Sequence, residues 1–425
     1  MEIKDLHRLF LQCSGISTDT RNIQKSAMFF ALKGENFNAN NFAAAALDAG
    51  ASYAVIDEKQ AVEDPRFILV SDVLETLQQL AAFHRKYCGI PVIALTGSNG
   101  KTTTKELINV CLSRKYKTVA TAGNLNNHIG VPLTLLQLKQ DTELAIIEMG
   151  ANHPKEIAFL SEIAQPDFGY ITNFGKAHLE GFKSPEGVIA AKSELYDHLK
   201  NNNKTLFLNS DDQVQWKHKT YSKVFSFGNA PEADISIDFP PAVPYAVIRA
   251  EGEEIKSNLI GEYNATNIAA AYTIGKYFNV SKKDLKEAIE EYSPKNNRSQ
   301  IIERGTSRII LDAYNANPTS MAAAVDNLDN LESPRKIAVL GDMFELGDYA
   351  ALEHQQLAER LENSSIDEII LVGKNFYATR TGPKIKKFET FEDLKAGHDP
   401  AIFNHATVLI KGSRGMALER ILDIL

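Results

Sequence analysis

The chain has 425 residues, of which 44% are hydrophobic and 24% charged, and its formal net charge is -8. This length suggests two to four domains of ~100–200 residues each, and the acidic balance without a long basic run disfavours nucleic-acid or membrane-surface partners. Three cysteines without a CxxC spacing disfavour a disulfide scaffold and a structural zinc site, which fits a reducing, cytoplasmic location. No apolar stretch approaches ~18 residues, and the charged N-terminal stretch MEIKDLHR predicts no signal peptide.

The first predicted domain, residues 1–89, alternates short apolar runs with two helical patterns. The runs AMFFAL, SYAVI and RFILV have the length and composition of short strands. The helical patterns end on Gly50 and Gly89, and glycine after the last periodic residue is a common helix stop. We therefore expect a small α/β domain followed by a connecting helix.

The second predicted domain, residues 90–297, begins with a strand, a glycine turn and a helix in PVIALTGSNGKTTTKELINVCL. The strand candidates ELAIIEM, FGYIT and TLFLN alternate with helical patterns, which predicts a parallel sheet covered on both faces. Between residues 225 and 260, Pro240, Pro241 and Pro244 interrupt shorter runs, so antiparallel strands are expected there. NATNIAAAYTIGKYF and SKKDLKEAIEEY are then expected to form two helices.

The third predicted domain, residues 298–425, contains the strand candidates RIILDAY, KIAVLGD, EIILVG and TVLIKGS. Helical patterns separate the first three, and MALERILDIL after the last is expected to be a further helix. This order predicts another open βαβ sheet. The stretch SPKNN before residue 298 is the predicted linker.

Residues 97–103, GSNGKTT, follow a predicted strand and open a predicted helix, which is the context of a phosphate-binding loop. The glycines let backbone N–H groups face the phosphates, and the helix N-terminus adds partial positive charge. Lys101 is expected to reach the β- and γ-phosphates, and the Thr102 hydroxyl to bind Mg²⁺. The wider pattern GxxxxGK[ST] fails because position 95 is Leu95. The loop therefore indicates a nucleotide without specifying the reaction.

Three further side chains are candidates for chemistry at the same edge of the sheet. Glu148 ends an apolar run, where a carboxylate is well placed to hold Mg²⁺, and a surface glutamate is the plain alternative. His178 lies in a polar loop just past a strand, where a solvated histidine is the alternative. Lys192 lies on a predicted helix, where an ordinary surface lysine is the commoner case.

A series of stretches in fixed order resembles the Mur ligase family. They are TGSNGKTTTKE, GNLNNHIGVPLTLL, IIEMGANHPKEI, ITNFGKAHLEGF, AKSELY, GEYNATNIAAA, LDAYNANP, LGDMFELG and LIKGSRGM, preceded by STDTR and FFALKGE. The resemblance covers nearly the whole chain. It implies an α/β protein of three domains: a small N-terminal domain, a central P-loop ATPase domain with a parallel sheet, and a C-terminal Rossmann-like domain.

LDAYNANP and EMGANHPKEI are similar to the members that join D-alanyl-D-alanine to UDP-N-acetylmuramoyl-tripeptide. The DNPR-type stretch of ligases that add a single diamino acid is absent. Also absent is the Asp-Gly-His stretch that commonly follows FFALKGE, because residues 36–42 are NFNANNF. The uridine contacts therefore stay open, as does the choice between lysine and diaminopimelate as the third peptide residue. A monomer is expected.

The resemblance also implies roles for particular residues, with ATP and two Mg²⁺ ions as cofactors. Lys101, His178 and Lys192 are expected to be catalytic, with Thr102, Glu148, His178 and Lys192 holding metal and Lys192 carried as a carbamate. The expected ATP contacts are Gly97, Ser98, Asn99, Gly100, Lys101, Thr102, Thr103, Asn264, Asn267, Arg298 and Asp312. The expected substrate contacts are Ser17, Thr18, Asp19, Thr20, Arg21 and Lys33 for the UDP end, and Asn315, Asn317, Lys411, Ser413 and Arg414 at the shared site.

The implied reaction is an ATP-dependent ligation through an acyl-phosphate, which the amine of the dipeptide then attacks. A folylpolyglutamate synthetase is the nearest alternative enzyme, but about 90 residues precede the phosphate loop here, and that family would lack them. A P-loop GTPase would need a base-reading motif such as NKxD, which the sequence lacks. A binding-only homologue is disfavoured by the intact Lys101, Glu148 and Lys192.

Overall fold

The computed structural model describes residues 1–60, 63–241, 244–294, 298–397 and 399–424. Within them, strands form three main sheets of four, nine and six strands and a two-stranded hairpin. Each main sheet lies within one of the three predicted regions. The fold-class prediction, α/β with parallel sheets, is therefore confirmed. The domain boundaries stay predictions, because part of the predicted linker, residues 295–297, lies outside the described residues.

The N-terminal unit is a four-stranded parallel sheet in the order β1-β2-β5-β6 with helices around it. Its elements are α1 (Ile3–Phe10), β1 (Ile16–Ser17), β2 (Met28–Phe30), β3 (Lys33–Gly34), β4 (Phe37–Asn38), α2 (Ala43–Asp48), β5 (Tyr53–Ile56), β6 (Phe67–Leu69) and α3 (Val73–Cys88). As predicted, α3 stops at Gly89, whose φ of 64° only glycine adopts without strain. This long helix packs against both the N-terminal and the central unit.

The central unit contains a nine-stranded sheet in the order β15-β14-β13-β12-β11-β10-β7-β9-β8. Its elements are β7 (Val92–Thr96), α4 (Lys101–Leu112), β8 (Thr118–Ala120), α5 (Gly130–Leu135), β9 (Leu144–Glu148), α6 (Glu156–Ala164), β10 (Phe168–Ile171), α7 (Leu179–Phe182), α8 (Pro185–Asn201), β11 (Thr205–Asn209), α9 (Gln213–Trp216), β12 (Val224–Gly228), β13 (Ile235–Asp238), β14 (Tyr245–Ala250), β15 (Glu253–Ile260), α10 (Ala265–Tyr277) and α11 (Lys282–Glu291). Strands β7 and β9 are buried along their whole length because helices cover both faces of the sheet.

The prediction for residues 225–260 was right for one part and wrong for another. β13, β14 and β15 pair antiparallel, as expected from the prolines and the short alternating runs. β12 instead pairs in parallel with β11 and with β13, so it extends the parallel part of the sheet. The apolar side chain of Phe227, buried in β12, fits this central position.

The C-terminal unit is a six-stranded sheet in the order β16-β17-β21-β18-β19-β20, parallel except for the β16–β17 pair. Its elements are β16 (Gln300–Arg304), β17 (Ser307–Asp312), α12 (Pro318–Asn330), β18 (Lys336–Gly341), α13 (Ala350–Glu362), β19 (Glu368–Val372), α14 (Lys374–Tyr377), β20 (Ile385–Phe388), α15 (Phe391–Gly397) and β21 (Thr407–Lys411). The predicted α-helix in MALERILDIL is wrong. Ala417 has a φ of 47°, which is incompatible with an α-helix, and the residues that follow, Leu418–Ile424, form a 3₁₀ helix instead.

Candidate active site

The phosphate loop joins the C-terminal end of β7 to the start of α4, as the sequence predicted. Contacts from Thr172 and Asn173, which directly follow the neighbouring strand β10, fix its shape. Ser98 N donates to Asn173 O at 3.1 Å, and Asn99 N donates to Asn173 Oδ1 at 2.9 Å. The Thr172 hydroxyl donates to Asn99 O at 2.6 Å. The loop is therefore held from outside before any nucleotide arrives.

Two glycines in this loop have no room for a side chain. A Cβ on Gly97, at a φ of 143°, would lie 2.0 Å from Thr172 Oγ1. A Cβ on Gly100, at a φ of 77°, would lie 2.6 Å from Asn267 Oδ1. Asn267 belongs to α10 and is itself held by Thr104 Oγ1 at 3.0 Å and Asn264 Oδ1 at 2.8 Å. The backbone of the loop at Gly100 therefore packs directly against the Asn267 side chain of α10.

Lys101, the first residue of α4, folds back over the loop. Its Nζ donates to Gly97 O at 2.8 Å, and it lines the central cavity. Burial lowers the pKa of Lys101, while the charge of Glu148 acts in the opposite direction. A cation held by weak backbone acceptors is available to exchange them for phosphate oxygens.

Glu148, at the C-terminal end of β9, is 1% exposed, and its two carboxylate oxygens differ in their hydrogen bonding. Asn126 Nδ2 donates to its Oε1 at 2.7 Å, whereas its Oε2 is buried without a hydrogen-bond partner among the described residues. Thr102, 2% exposed, lines the same cavity as Glu148. A buried carboxylate oxygen and a threonine hydroxyl that line one cavity are a fitting oxygen donor set for Mg²⁺.

The structure places Lys192 of α8 fully inside the protein, so the alternative of a surface lysine is wrong. Its Nζ donates to Ala151 O at 3.2 Å and lies 5.0 Å from the ring centroid of Phe182. Within the described residues it has no carboxylate at ion-pair distance. Burial, followed by the charge of Lys101, holds its pKa well below the ordinary value. Both effects shift Lys192 toward the reactive neutral amine.

His178 lies just before α7, and its backbone is in the left-handed region at a φ of 53°. Its ring packs edge-on against Phe182, with ring centroids 6.4 Å apart, so Phe182 contacts both His178 and Lys192. Nδ1 of His178 lies 2.5 Å from Glu345 Oε2 of the C-terminal unit. This contact lowers the pKa of Glu345. The solvated-histidine alternative is wrong, because the His178 side chain is only 16% exposed.

The C-terminal unit contributes a second group of polar residues at the end of β17. Lys411 Nζ donates to Asp312 Oδ2 at 2.6 Å and to Asn315 O at 3.1 Å. The guanidinium of Arg298 stacks on Tyr314, with its Cζ 3.8 Å from the ring centroid. Aromatic stacking leaves the guanidinium edges free for hydrogen bonds to anions.

The C-terminal and central units touch directly across the cavity. Asn317 caps α12 and also donates to Asn99 Oδ1 of the phosphate loop at 2.7 Å. Lys176 N donates to Thr319 Oγ1 at 3.0 Å, and Lys176 Nζ pairs with Glu353 at 2.6 Å. The units are therefore close enough to share one site.

A cavity of about 840 Å³ lies at this junction and collects most of the predicted active-site residues. Those that line it are Ser98, Asn99, Gly100, Lys101, Thr102, Thr103, Glu148, His178, Asn264, Asn267, Arg298, Asp312, Asn315, Asn317 and Lys411. Gly97, Lys192, Ser413 and Arg414 are not in its lining, although Lys192 reaches Ala151, which is. Arg414 lies behind it, 5.3 Å from the ring centroid of Tyr314.

The predicted UDP contacts lie apart from this cavity, at the C-terminal edge of the N-terminal sheet. Ser17 ends β1, and Asp19 pairs with the exposed Arg21 at 2.7 Å. Lys33 is held by Asp57 at 2.9 Å and by Glu58 at 2.8 Å. Thr18 and Thr20 flank Asp19 at the same edge. Carboxyl ends of parallel strands are a usual location for ligands, but the role of these residues stays a prediction.

Several cavity residues were missed from the sequence. They are Asn124, Asn126, Asn127, His128, Gly150, Ala151, Asn152, Pro154, Lys155, Glu156, Phe159, Leu160, Asn173, Tyr263, Ser299, Tyr314, Thr319, Ser320 and Ala323. Many belong to GNLNNHIG and EMGANHPKEI, stretches that had supported the resemblance without being given roles. The asparagines in these two stretches, which follow the phosphate loop in the sequence, were the signal from which these residues could have been predicted.

Two absences apply to the part of the chain that the structure describes. No cluster of three or more His, Cys, Asp or Glu side chains is arranged to hold a metal there. No helix in the same residues combines the length and the apolar character needed to cross a bilayer.

Comparison with known families places two matches on this chain. Residues 95–275 match the Mur ligase middle domain, and residues 297–414 match the Mur ligase, glutamate ligase domain. Among curated proteins, the UDP-N-acetylmuramoyl-tripeptide--D-alanyl-D-alanine ligase of Bacillus subtilis is 33% identical, covering 96% of this chain and 92% of its own length. The ligase of the same name from Escherichia coli is 34% identical, covering 96% and 93%.

Solved structures give the same picture. Crystal structure I of MurF from Acinetobacter baumannii aligns with a TM-score of 0.88 at 32% identity, covering 99% of this chain and 97% of that one. MurF ligase from Thermotoga maritima in complex with ADP aligns with a TM-score of 0.83 at 27% identity, covering 98% and 97%.

Proposed function

The chain belongs to the Mur ligase family, and from that premise we propose that it is an ATP-dependent ligase that joins D-alanyl-D-alanine to UDP-N-acetylmuramoyl-tripeptide in peptidoglycan precursor synthesis. The observation that carries this proposal is the single cavity in which the phosphate loop, the half-satisfied carboxylate of Glu148 and the cations of the C-terminal unit meet. The relatives from Bacillus subtilis and Escherichia coli, each matched over 96% of this chain, carry the same enzyme name.

The proposed reaction has two steps. A carboxylate oxygen of the tripeptide attacks the γ-phosphorus of ATP, the bond from that phosphorus to the β–γ bridging oxygen breaks, and ADP leaves. The dipeptide amine then attacks the acyl carbon, forms the C–N bond, loses a proton and displaces phosphate. Two anions must approach each other in the first step, so positioning and positive charge do most of the catalysis.

The chain's own residues divide this task between the two sides of the cavity. Lys101 and the loop N–H groups bind the β- and γ-phosphates, and Asn264 and Asn267 lie toward the adenine. Arg298, Asp312 and Lys411 engage the nucleotide and substrate from the C-terminal unit. Asn315, Asn317, Ser413 and Arg414 are proposed substrate contacts. Closure of the two units around the cavity would exclude water, which would otherwise hydrolyse an acyl-phosphate.

Thr102 and Glu148 are proposed to hold one Mg²⁺, and His178 with Lys192 a second. When bound, these ions would neutralise the phosphates and orient the reacting oxygens. An unmodified ammonium cannot coordinate Mg²⁺, so Lys192 fits this role only as a carbamate. Its complete burial, with no carboxylate partner among the described residues, supports that modification, because the neutral amine is the form that reacts with CO₂.

The remaining parts of the proposal concern the substrate and the setting. Residues 1–89 would bind the UDP end through Ser17, Thr18, Asp19, Thr20, Arg21 and Lys33, with residues 90–297 and 298–425 as the two ligase domains. We propose a monomer acting in the cytoplasm, where ATP is available.

Lys101→Ala tests the phosphate loop. Removing one electrostatic stabiliser from a water-poor site costs about 10²–10³-fold in kcat, so ATP-dependent ligation should fall by at least this factor while the fold persists. Lys117→Ala removes a mostly exposed lysine of the same unit and should change turnover less than twofold. Turnover retained in Lys101→Ala would refute the loop assignment. Circular dichroism verifies the fold of both variants.

A further inference from the structure

Glu345 belongs to the stretch LGDMFELG, which supported the family resemblance but has no role in the proposed mechanism. It lies after β18 in the C-terminal unit and docks on α7 of the central unit. Its Oε2 lies 2.5 Å from His178 Nδ1, and its carbonyl oxygen accepts from Glu180 N at 3.1 Å. Both its side chain and its main chain therefore bridge the two units.

The His178 ring presents its two nitrogens to different surroundings. Nδ1 is buried, and the carboxylate of Glu345 lies close to it but off the hydrogen-bond axis. Within the described residues no other acidic group is at ion-pair distance from Nδ1. Nε2 makes no hydrogen bond within those residues, and His178 lines the central cavity. A carboxylate beside Nδ1 favours the tautomer that carries its proton there, which leaves the lone pair on Nε2.

Both partners have strained backbones. His178 has a φ of 53° and Glu345 a φ of 62°, in a region that residues other than glycine seldom adopt. Such conformations persist where the surrounding structure determines them, and they cluster at functional sites. The two strained positions face each other across the junction of the units, so the contact between them is a constrained one.

We propose that Glu345 is a positioning residue that sets the tautomer and orientation of His178 when the C-terminal unit docks, so that Nε2 can bind the second Mg²⁺. This inference rests on the metal role of His178 in the proposed function. Carboxylate groups commonly orient metal-binding histidines in this way. Here the carboxylate comes from a different unit of the chain, so the second metal site is complete only when the two units meet.

Mn²⁺ binding tests this proposal without relying on turnover. Free Mn²⁺ is measured by electron paramagnetic resonance in titrations of the full-length protein with a non-hydrolysable ATP analogue. Glu345→Asn is the chosen variant because asparagine tolerates positive φ and its shorter side chain withdraws the oxygen. One Mn²⁺ should weaken by about 10–100-fold, the usual loss for a group that orients a metal ligand, and the other should be unchanged.

Lys176→Met is the matched control, since it breaks another ion pair between the same two units without touching His178. Its Mn²⁺ affinities should stay within twofold of wild type. If His178→Ala also weakens one ion but Glu345→Asn weakens neither, the positioning role is overturned and the proposed function survives. If His178→Ala leaves both ions unchanged, the metal role of His178 fails and this inference fails with it. Equal weakening in Lys176→Met would also overturn it, because docking alone would then explain the effect.

Discussion

Gly100 shows how much of the phosphate loop depends on a residue far away in sequence. Its φ of 77° and the approach of Asn267 to 2.6 Å of a built Cβ leave no room for a side chain. Asn267 lies on α10, more than 160 residues later in the chain. The loop motif could be found from sequence because it is local. The contact of Asn267 with this loop could not be predicted from sequence, because only the folded sheet brings α10 next to α4.

Gly100→Ala should therefore weaken nucleotide binding as well as stability. The positive φ alone costs an alanine about 1–2 kcal/mol, and the contact with Asn267 must also shift the loop. Gly252→Ala is the matched control, because Gly252 has a φ of 86° with no atom within 4 Å of its Cβ position. Both variants should lose stability in urea unfolding, but only Gly100→Ala should lose ATP affinity, by tenfold or more in calorimetry. Equal ATP affinity in the two variants would contradict this account.

Lys192 differs from the other predicted residues in that burial changes its chemistry. Its position on α8 was visible in the sequence, but complete burial was not, because AAKSELY has no stronger apolar pattern than a surface helix. The fold encloses it with Phe182 and the Ala151 carbonyl. That enclosure supports the carbamate, which the family resemblance implied.

Lys192→Ala should abolish ligation, and short carboxylic acids should restore part of it by supplying the missing carboxylate oxygens. Lys200→Ala on the same helix removes a lysine that lies near Asp197 at 3.7 Å, and it should leave activity within twofold and unaffected by added acid. The measurement is phosphate release with and without acetate or formate. Unchanged activity in Lys192→Ala would contradict the carbamate.

Helix α3 joins the N-terminal and central units through a buried pair of histidines. His84 Nε2 lies 2.9 Å from Leu138 O, and since a carbonyl only accepts, the proton is on Nε2. His84 Nδ1 must then accept from His7 Nε2 of α1, also at 2.9 Å. Burial and then the charge of His84 lower the pKa of His7 to about 4, and burial lowers the pKa of His84. A second proton on either ring would place a positive charge in this buried contact.

The buried histidine pair predicts that the folded protein loses stability in acid. An unfolded histidine binds its proton near pH 6.5, whereas folded His7 resists protonation down to about pH 4. The stability contribution is therefore complete above pH 6.5 and is lost as the pH falls toward 4, by up to about 3 kcal/mol. His7→Phe should remove this part of the pH dependence in urea unfolding, while His405→Asn, at an exposed histidine, should not. The same slope in His7→Phe and wild type would contradict the assignment.

Sequence patterns predicted elements best where the stop signal is local. Gly89 ended α3 as expected because its positive φ is intrinsic to glycine. The helix expected in MALERILDIL failed because Ala417 adopts a positive φ that no pattern announces. The sequence also did not predict β16 and β20. These two strands lie at the edges of their sheet, contain polar residues and gain their hydrogen bonds only from the folded sheet. Order along the chain was predictable, whereas pairing at the edges was not.

The whole molecule brings two sheets to one cavity. In the central unit Lys101 begins α4, just after β7, and Glu148 ends β9. In the C-terminal unit Asp312 ends β17 and Lys411 ends β21. Residue patterns alone did not bring the two groups together, and only the family resemblance implied a shared site, because such a site depends on contacts between the units such as Asn317 with Asn99. An enzyme built this way should couple phosphate release to ligation, because neither unit holds a complete site.

The most direct test of ATP-dependent ligation by this protein is phosphate release with ATP, UDP-N-acetylmuramoyl-tripeptide and D-alanyl-D-alanine, with each omitted in turn. Both lysine- and diaminopimelate-containing tripeptides are supplied, and the peptide product is quantified beside the phosphate. We expect one phosphate per peptide bond with at least one tripeptide, and at least a tenfold drop when any of the three substrates is left out. Phosphate release that continues at the full rate without the tripeptide or without the dipeptide would contradict the account.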